Sequence, residues 1–239
     1  MTAPPPASRD YTGKCSTALA NILANDTLGD CTCAGALHIL EVITSQAGAS
    51  VVFQASDAVA LYSHWCGYVP GNPATDQGGD IPAILAMWCA GGIDGKGTHA
   101  IAGSLVVDPA NQQEVMHAID TFGVLYLGGE LEDAWTQIAS NGGTWADVGP
   151  QDPNDGHCIV AVGYDAVKGV MFDSWGFLMW MPWPSFAKFC AVVDGGDCFV
   201  ILTKEWVSAA THESPDGIDF QQLVADFDYF GGTVPIPTA

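Results

Sequence analysis

Apolar positions follow two rhythms along the chain. Over residues 31–46 they are nearly continuous, with Ala34, Leu37, Ile39, Leu40, Val42 and Ile43 leaving little polar face. A helix that is apolar all round belongs in the interior, so this stretch predicts a central buried helix. A second helix is expected over 56–66, opened by Ser56-Asp57 as a cap, and a third over 81–90, closed by Gly91-Gly92. From about residue 108 the rhythm changes. Asp108 reads as a cap and Pro109 as a first helical position, and Val115, Ala118, Ile119 and Phe122 recur at helical spacing until Gly123. The runs "VLYL" (124–127), "CIVAVGYD" (158–165), "GVMFDSW" (169–175) and "CFVILT" (198–203) then read as strands.

A helical first half and a β-rich second half predict an α+β fold in a single domain, 1–239. Its mainly helical lobe is expected over about 15–105 and its mainly β lobe over about 106–205. The extension 206–239 carries one amphipathic helix, with Phe220, Leu223, Val224 and Phe227 as its packing face.

Composition narrows the function. The 239 residues are 49% hydrophobic and 14% charged, enough for a sizeable core. The formal net charge is −21 with six Lys and Arg, so no nucleic-acid partner and no anionic membrane surface are expected. No segment reaches the roughly 20 apolar residues of a membrane span. The opening "MTAPPPASRDYTGK" lacks the apolar centre of a signal peptide and reads as an extended arm. The expected location is therefore the cytoplasm or an assembled particle such as a virion. The eight cysteines include no CxxC pair. Cys31 and Cys33 form CxC near His38, but a zinc site would need a second cluster, for which His157-Cys158 is the only candidate. Most of the cysteines are read as small buried hydrophobes.

The stretch "NDTLGDCTC" (25–33) puts Cys31 at the mouth of the central helix. Helix-end dipoles favour a thiolate there. Gly29 allows a tight entry turn, and Cys33 points to another side of the helix. A thiolate needs a base. His38 lies about 10 Å further along the axis and is read as a core histidine. His64, His99, His117 and His212 sit in ordinary helical or loop contexts. His157 is different, because it begins a strand directly after the glycine-rich loop "NGGTWADVGPQDPNDG". Asp173, sixteen residues on, is placed by a tight hairpin to orient its imidazole. Strand alternation points Cys158 away from the site.

These motifs resemble the papain-like cysteine peptidases in their bacterial or phage form. The resemblance rests on Asn25, Gly29 and Cys31, on Gly156, His157, Val162, Gly163 and Tyr164, and on Asp173, Ser174, Trp175 and Gly176. It spans about residues 20–203, with "DQGG" (76–79) similar to the loop lining the substrate cleft. It implies a two-lobe fold with a central helix packed on an antiparallel sheet or barrel. It also implies a thiol-dependent hydrolase with Cys31 as nucleophile, His157 as base, Asp173 as orienting group and Asn25 as oxyanion donor. Gly29, Gly78, Gly79 and Trp175 would contact substrate, with Trp175 covering the His–Asp pair. A peptide or protein substrate is implied, and no metal or organic cofactor. Asn25 and Asp173 depart from the Gln and Asn usual in that family. Cys-His-Asp, with Asp30 before the cysteine, also resembles the bacteriocin-processing cysteine peptidases. The softened motif leaves an alternative, a weakly active or inactive papain-fold binding protein such as a virion component.

Overall fold

The apolar run at 31–46 forms the helix at the centre of the molecule. In the computed structural model, which describes residues 4–232, every residue from Thr32 to Ser45 of this helix is buried. Residues 1–3 of the expected arm and 233–239 of the expected extension lie outside the described residues. In chain order the first elements are β1 (Ser8–Asp10), α1 (Ser16–Leu19), the central α2 (Cys31–Gln46), α3 (Ala55–Cys66) and α4 (Ile81–Gly91). They are followed by β2 (Gly103–Val106), α5 (Gln112–Phe122), β3 (Leu125–Glu132), β4 (Gln151–Asp165) and β5 (Gly169–Ser174). Last come β6 (Phe177–Met181), α6 (Trp183–Phe189), β7 (Asp197–Leu202) and α7 (Phe220–Tyr229). The mixture of helices and an antiparallel sheet is the α+β architecture expected.

Burying α2 carries two ionisable groups inside, and they satisfy each other. His38 Nδ1 lies 2.9 Å from Glu41 Oε2, while Glu41 Oε1 accepts the Phe53 N–H at 2.8 Å. Such pairing is what makes buried charge tolerable. Gly35 faces the sheet. A Cβ there would sit 3.1 Å from the Tyr126 ring and 3.2 Å from Cys158 Sγ, so glycine lets α2 lie directly on β3 and β4.

Two helix starts differ from the sequence reading. Gln54, not Ser56-Asp57, caps α3, because Asp57 reaches back to the Gln54 N–H at 2.8 Å as the far half of a capping box. Asn111, not Asp108, caps α5. Asp108 instead holds the Ala110 N–H at 2.9 Å in a turn, which leaves Pro109 outside the helix.

The strands pair antiparallel in the order β2-β7-β3-β4-β5-β6, and β1 pairs with the far end of β4. β1, α1, β2, β6 and α6 have no counterpart in the sequence reading. The β4–β5 hairpin contains an irregularity: Ala161 pairs with Phe172, and the next pair is Gly163 with Met171. Val162 is the extra residue, and its carbonyl accepts the Tyr11 N–H at 3.1 Å from the end of β1. A bulge of this kind shifts the facing of everything beyond it. On the opposite side α7 docks through Leu223 and Phe227, with Phe227 edge-on to Phe122 at 6.0 Å.

Candidate active site

Cys31 is the first residue of α2, where backbone N–H groups have no partner within the helix. It borders a cavity of about 660 Å³ shared with His157, Gly29, Gly78 and Gly79. One carboxylate ties the two glycine loops together. Asp76 Oδ1 accepts the Gly29 N–H at 3.0 Å and the Tyr62 hydroxyl hydrogen at 2.8 Å, and the Tyr62 oxygen accepts the Gly78 N–H at 2.8 Å. Tyr62 thus sets the position of "DQGG" against the helix mouth, a role its place inside an ordinary helical pattern did not disclose.

The surroundings do not favour a thiolate. Burial pushes the Cys31 thiol up to about 11; the Cys158 backbone N–H works against this, and the charge of Asp30 adds to it. Asp30 is fully buried, and burial raises its carboxyl to about 7, with the Asn25 side chain holding it down. Asn25 Nδ2 donates to Asp30 Oδ1 at 3.1 Å and to the Leu28 carbonyl at 3.4 Å. Its amide is therefore turned inward, onto a small cavity it shares with Cys31, His38 and Asp173, and not toward the large one. The oxyanion role expected for Asn25 is corrected on that ground.

His157 pairs across β3 with Gly129 and points into an aromatic pocket. Trp175 stacks on its ring at 4.5 Å and 24°, and Trp145 closes in at 6.4 Å. Trp145 is itself wedged between Trp135, stacked at 5.4 Å, and Phe172 at 4.7 Å. Trp175 holds this place with φ +53°, a left-handed conformation that costs a bulky side chain energy. This pocket excludes water, and burial alone lowers the imidazole to about 4. The partner of His157 Nε2 is Ser174 Oγ at 2.8 Å.

Asp173 does not reach His157. Its register partner is Val160, three residues beyond His157 on β4, so the two side chains emerge on opposite faces of the sheet. Without the extra residue Val162, Asp173 would have paired one position further on and shared the face of His157. Asp173 instead faces α2, with Oδ2 3.5 Å from His38 Nε2, and neither carboxylate oxygen has a hydrogen-bond partner among the described residues. Burial raises Asp173 to about 7, and the charge of His38 opposes this. The expectation that Asp173 orients His157 is therefore corrected: the bulge gives that contact to Ser174. Cys158 does lie on the face opposite His157, but that face is the one turned to α2, so its thiol sits beside Gly35 and lines the Cys31 cavity.

Among the described residues no hydrogen bond joins the Cys31 thiol to His157, and at neutral pH both are uncharged. Cys31 and His157 both border one cavity, which lies at the N-terminal end of α2. Cys33 faces away and meets Cys66, whose thiol is lowered by that contact.

The sequence matches no family model and no curated protein. Solved structures do match in fold. A cysteine protease of Carica candamarcensis superposes with TM-score 0.57 at 15% identity, over 83% of this chain and 99% of that one. Digestive procathepsin L 3 of Tenebrio molitor larval midgut gives 0.59 at 14%, over 84% of this chain and 71% of that one. The bromelain protease of Ananas comosus gives 0.54 at 15%, over 82% and 99%. The chain has the papain-like fold of these cysteine proteases. Among the described residues no helix is long and apolar enough to cross a membrane.

Proposed function

We propose that the protein is a thiol-dependent hydrolase acting on peptide or amide carbonyls. The observation that carries this reading is that Cys31, at the mouth of the buried helix, and His157, on the facing strand, border the same cavity in a fold shared with cysteine proteases. Cys31 attacks the carbonyl carbon and His157 accepts the thiol proton. The Cys31 N–H, at the helix start, meets the developing oxyanion. His157 then returns the proton to the leaving amine, and water releases the acyl group. Ser174 orients the imidazole through Nε2, and the tryptophans keep water from it.

Because burial leaves thiol and imidazole both neutral, the proton moves during attack and not beforehand. A peptidyl chloromethyl ketone tests this, since its peptide part directs the alkylating group to the thiol that faces a bound peptide. The label maps to Cys31, vanishes in Cys31→Ala and slows strongly in His157→Ala. A label on Cys66, the cysteine with the lowered pKa, that leaves Cys31 untouched would refute the reading.

The neutral thiol and imidazole, with no hydrogen bond between them, favour a second reading: a papain-fold binding protein with little turnover, such as a component of a larger assembly. Tight peptide binding by wild-type protein, with no product and no Cys31 adduct, would select it.

A further inference from the structure

Two pairs of thiols meet inside the protein. Cys33, in the first turn of α2, meets Cys66, the last residue of α3. Cys190, directly after α6, meets Cys198 on β7. All four are free thiols. The pairs differ in access. Cys190 and Cys198 are 0% and 2% exposed, so both are shielded from solution. Cys33 is buried as completely, but Cys66 is half-buried at the end of its helix, where Gly67 turns the chain away at φ +72°.

Gly79 packs over the first pair. A Cβ there would stand 2.5 Å from Thr32 Oγ1 and 3.0 Å from Cys66 Sγ, so the end of α3 lies against the first turn of α2 and glycine leaves the sulfur room. The contact polarises the pair. Cys33 donates its S–H to the Cys66 sulfur, which lowers the Cys66 thiol against burial and the charge of Asp30, and raises that of Cys33. Cys31 and Cys89, the other half-buried cysteines, are both raised by burial. An accessible sulfur with thiolate character beside a shielded thiol is the pairing that oxidation converts to a disulfide. A disulfide needs the sulfurs about 2.05 Å apart, a short approach for thiols already in contact.

We propose that Cys33 and Cys66 are a modification site, a reversible disulfide that staples α2 to α3 and takes a hydroperoxide as oxidant. The Cys66 thiolate attacks one peroxide oxygen: an S–O bond forms, the O–O bond breaks, and the departing hydroxide takes up a proton to leave as water. The sulfur is oxidised to a sulfenic acid and the peroxide is reduced. The Cys33 sulfur then attacks the Cys66 sulfur: the S–S bond forms, the S–O bond breaks, and the Cys33 proton leaves with the hydroxide as a second water. The staple closes a long loop and so restrains the unfolded chain. It needs neither Cys31 nor His157, and so stands whether or not the protein is a hydrolase.

The reduced wild-type protein is treated with a few equivalents of hydrogen peroxide at neutral pH, alkylated after unfolding in acid, and mapped by peptide mass spectrometry. The main product is the Cys33–Cys66 disulfide, while Cys190 and Cys198 are recovered alkylated. Oxidation raises Tm by about 5–10 °C. Dithiothreitol reverses the rise, and Cys66→Ser shows none. Recovery of Cys66 as a sulfinic acid with Cys33 still a thiol would overturn the proposal, as would an unreacted Cys66. So would a Cys190–Cys198 bridge forming as fast, a Cys33–Cys66 bridge that leaves Tm unchanged or lowers it, or a rise that persists in Cys66→Ser.

Discussion

The two faces of the β4–β5 hairpin are built on opposite principles. On one face His157 is enclosed by tryptophans, bonded to Ser174 and held neutral by the lack of water. On the other, Asp173 meets His38 and Glu41 in a buried cluster of charge, and its carboxylate has no hydrogen bond. Burial pulls the His38 imidazole down, yet Asp173 and Glu41 outweigh this and raise it. The same degree of burial therefore lowers one histidine and, with two carboxylates beside it, leaves the other raised. Which residue stands on which face is decided by one extra residue, Val162, in β4. A single bulge moves a carboxylate out of a candidate catalytic site and into a structural cluster.

Variants can break this contrast. His157→Ala should have the largest effect on chemistry, lowering kcat/KM on a peptide amide by about 10²–10⁴, the usual worth of a positioned base. Trp145→Ala removes a fully buried ring behind His157 and should cost about 3–5 kcal/mol in urea unfolding. Ser174→Ala frees Nε2 and should slow turnover about tenfold with little change in stability, about one hydrogen bond's worth. Asp173→Asn should change turnover by less than about twofold, because the side chain lies on the wrong face to orient the base.

The last variant has a clearer signature in pH. Asp173 has an ordinary pKa of 3.8 and reaches about 7 in the fold, so between those values the folded protein holds a proton that the unfolded chain has lost. The stability this contributes is complete below about 3.8 and disappears as pH rises through 7. Asp173→Asn should remove that fall, seen as a flatter dependence of unfolding free energy on pH. His157 acts with the opposite sign. Its folded value of about 4 lies below the ordinary 6.5, so its contribution is present above 6.5 and disappears as pH falls through 4. That limb should survive in Asp173→Asn and vanish in His157→Ala.

Much of this was legible in the sequence, for physical reasons. The nearly continuous apolar run at 31–46 marks an interior helix, and its boundaries follow from the pattern. The facing strands carry apolar runs between turn residues, and Gly29, Gly78 and Gly79 border the cavity with Cys31 and His157. What the sequence did not disclose was parity. A sixteen-residue step from His157 to Asp173 puts them together in a regular hairpin and apart in a bulged one, and the carbonyl of the bulged Val162 bonds to Tyr11, beside β1 and far away in the chain. Asn25 misled in a similar way. Its spacing fits an oxyanion donor, but a buried carboxyl at Asp30 takes its amide first. The roles of Tyr62 and Trp145 are tertiary, and no local pattern marks either one.

The account turns on which neighbour orients the base, and one comparison decides that directly. The rate of Cys31 modification by a peptidyl chloromethyl ketone is measured in wild-type protein, Ser174→Ala and Asp173→Asn, with each variant's fold checked by near-UV circular dichroism. The account predicts a rate about tenfold lower in Ser174→Ala and close to wild type in Asp173→Asn. A wild-type rate in Ser174→Ala together with a collapse in Asp173→Asn would contradict it.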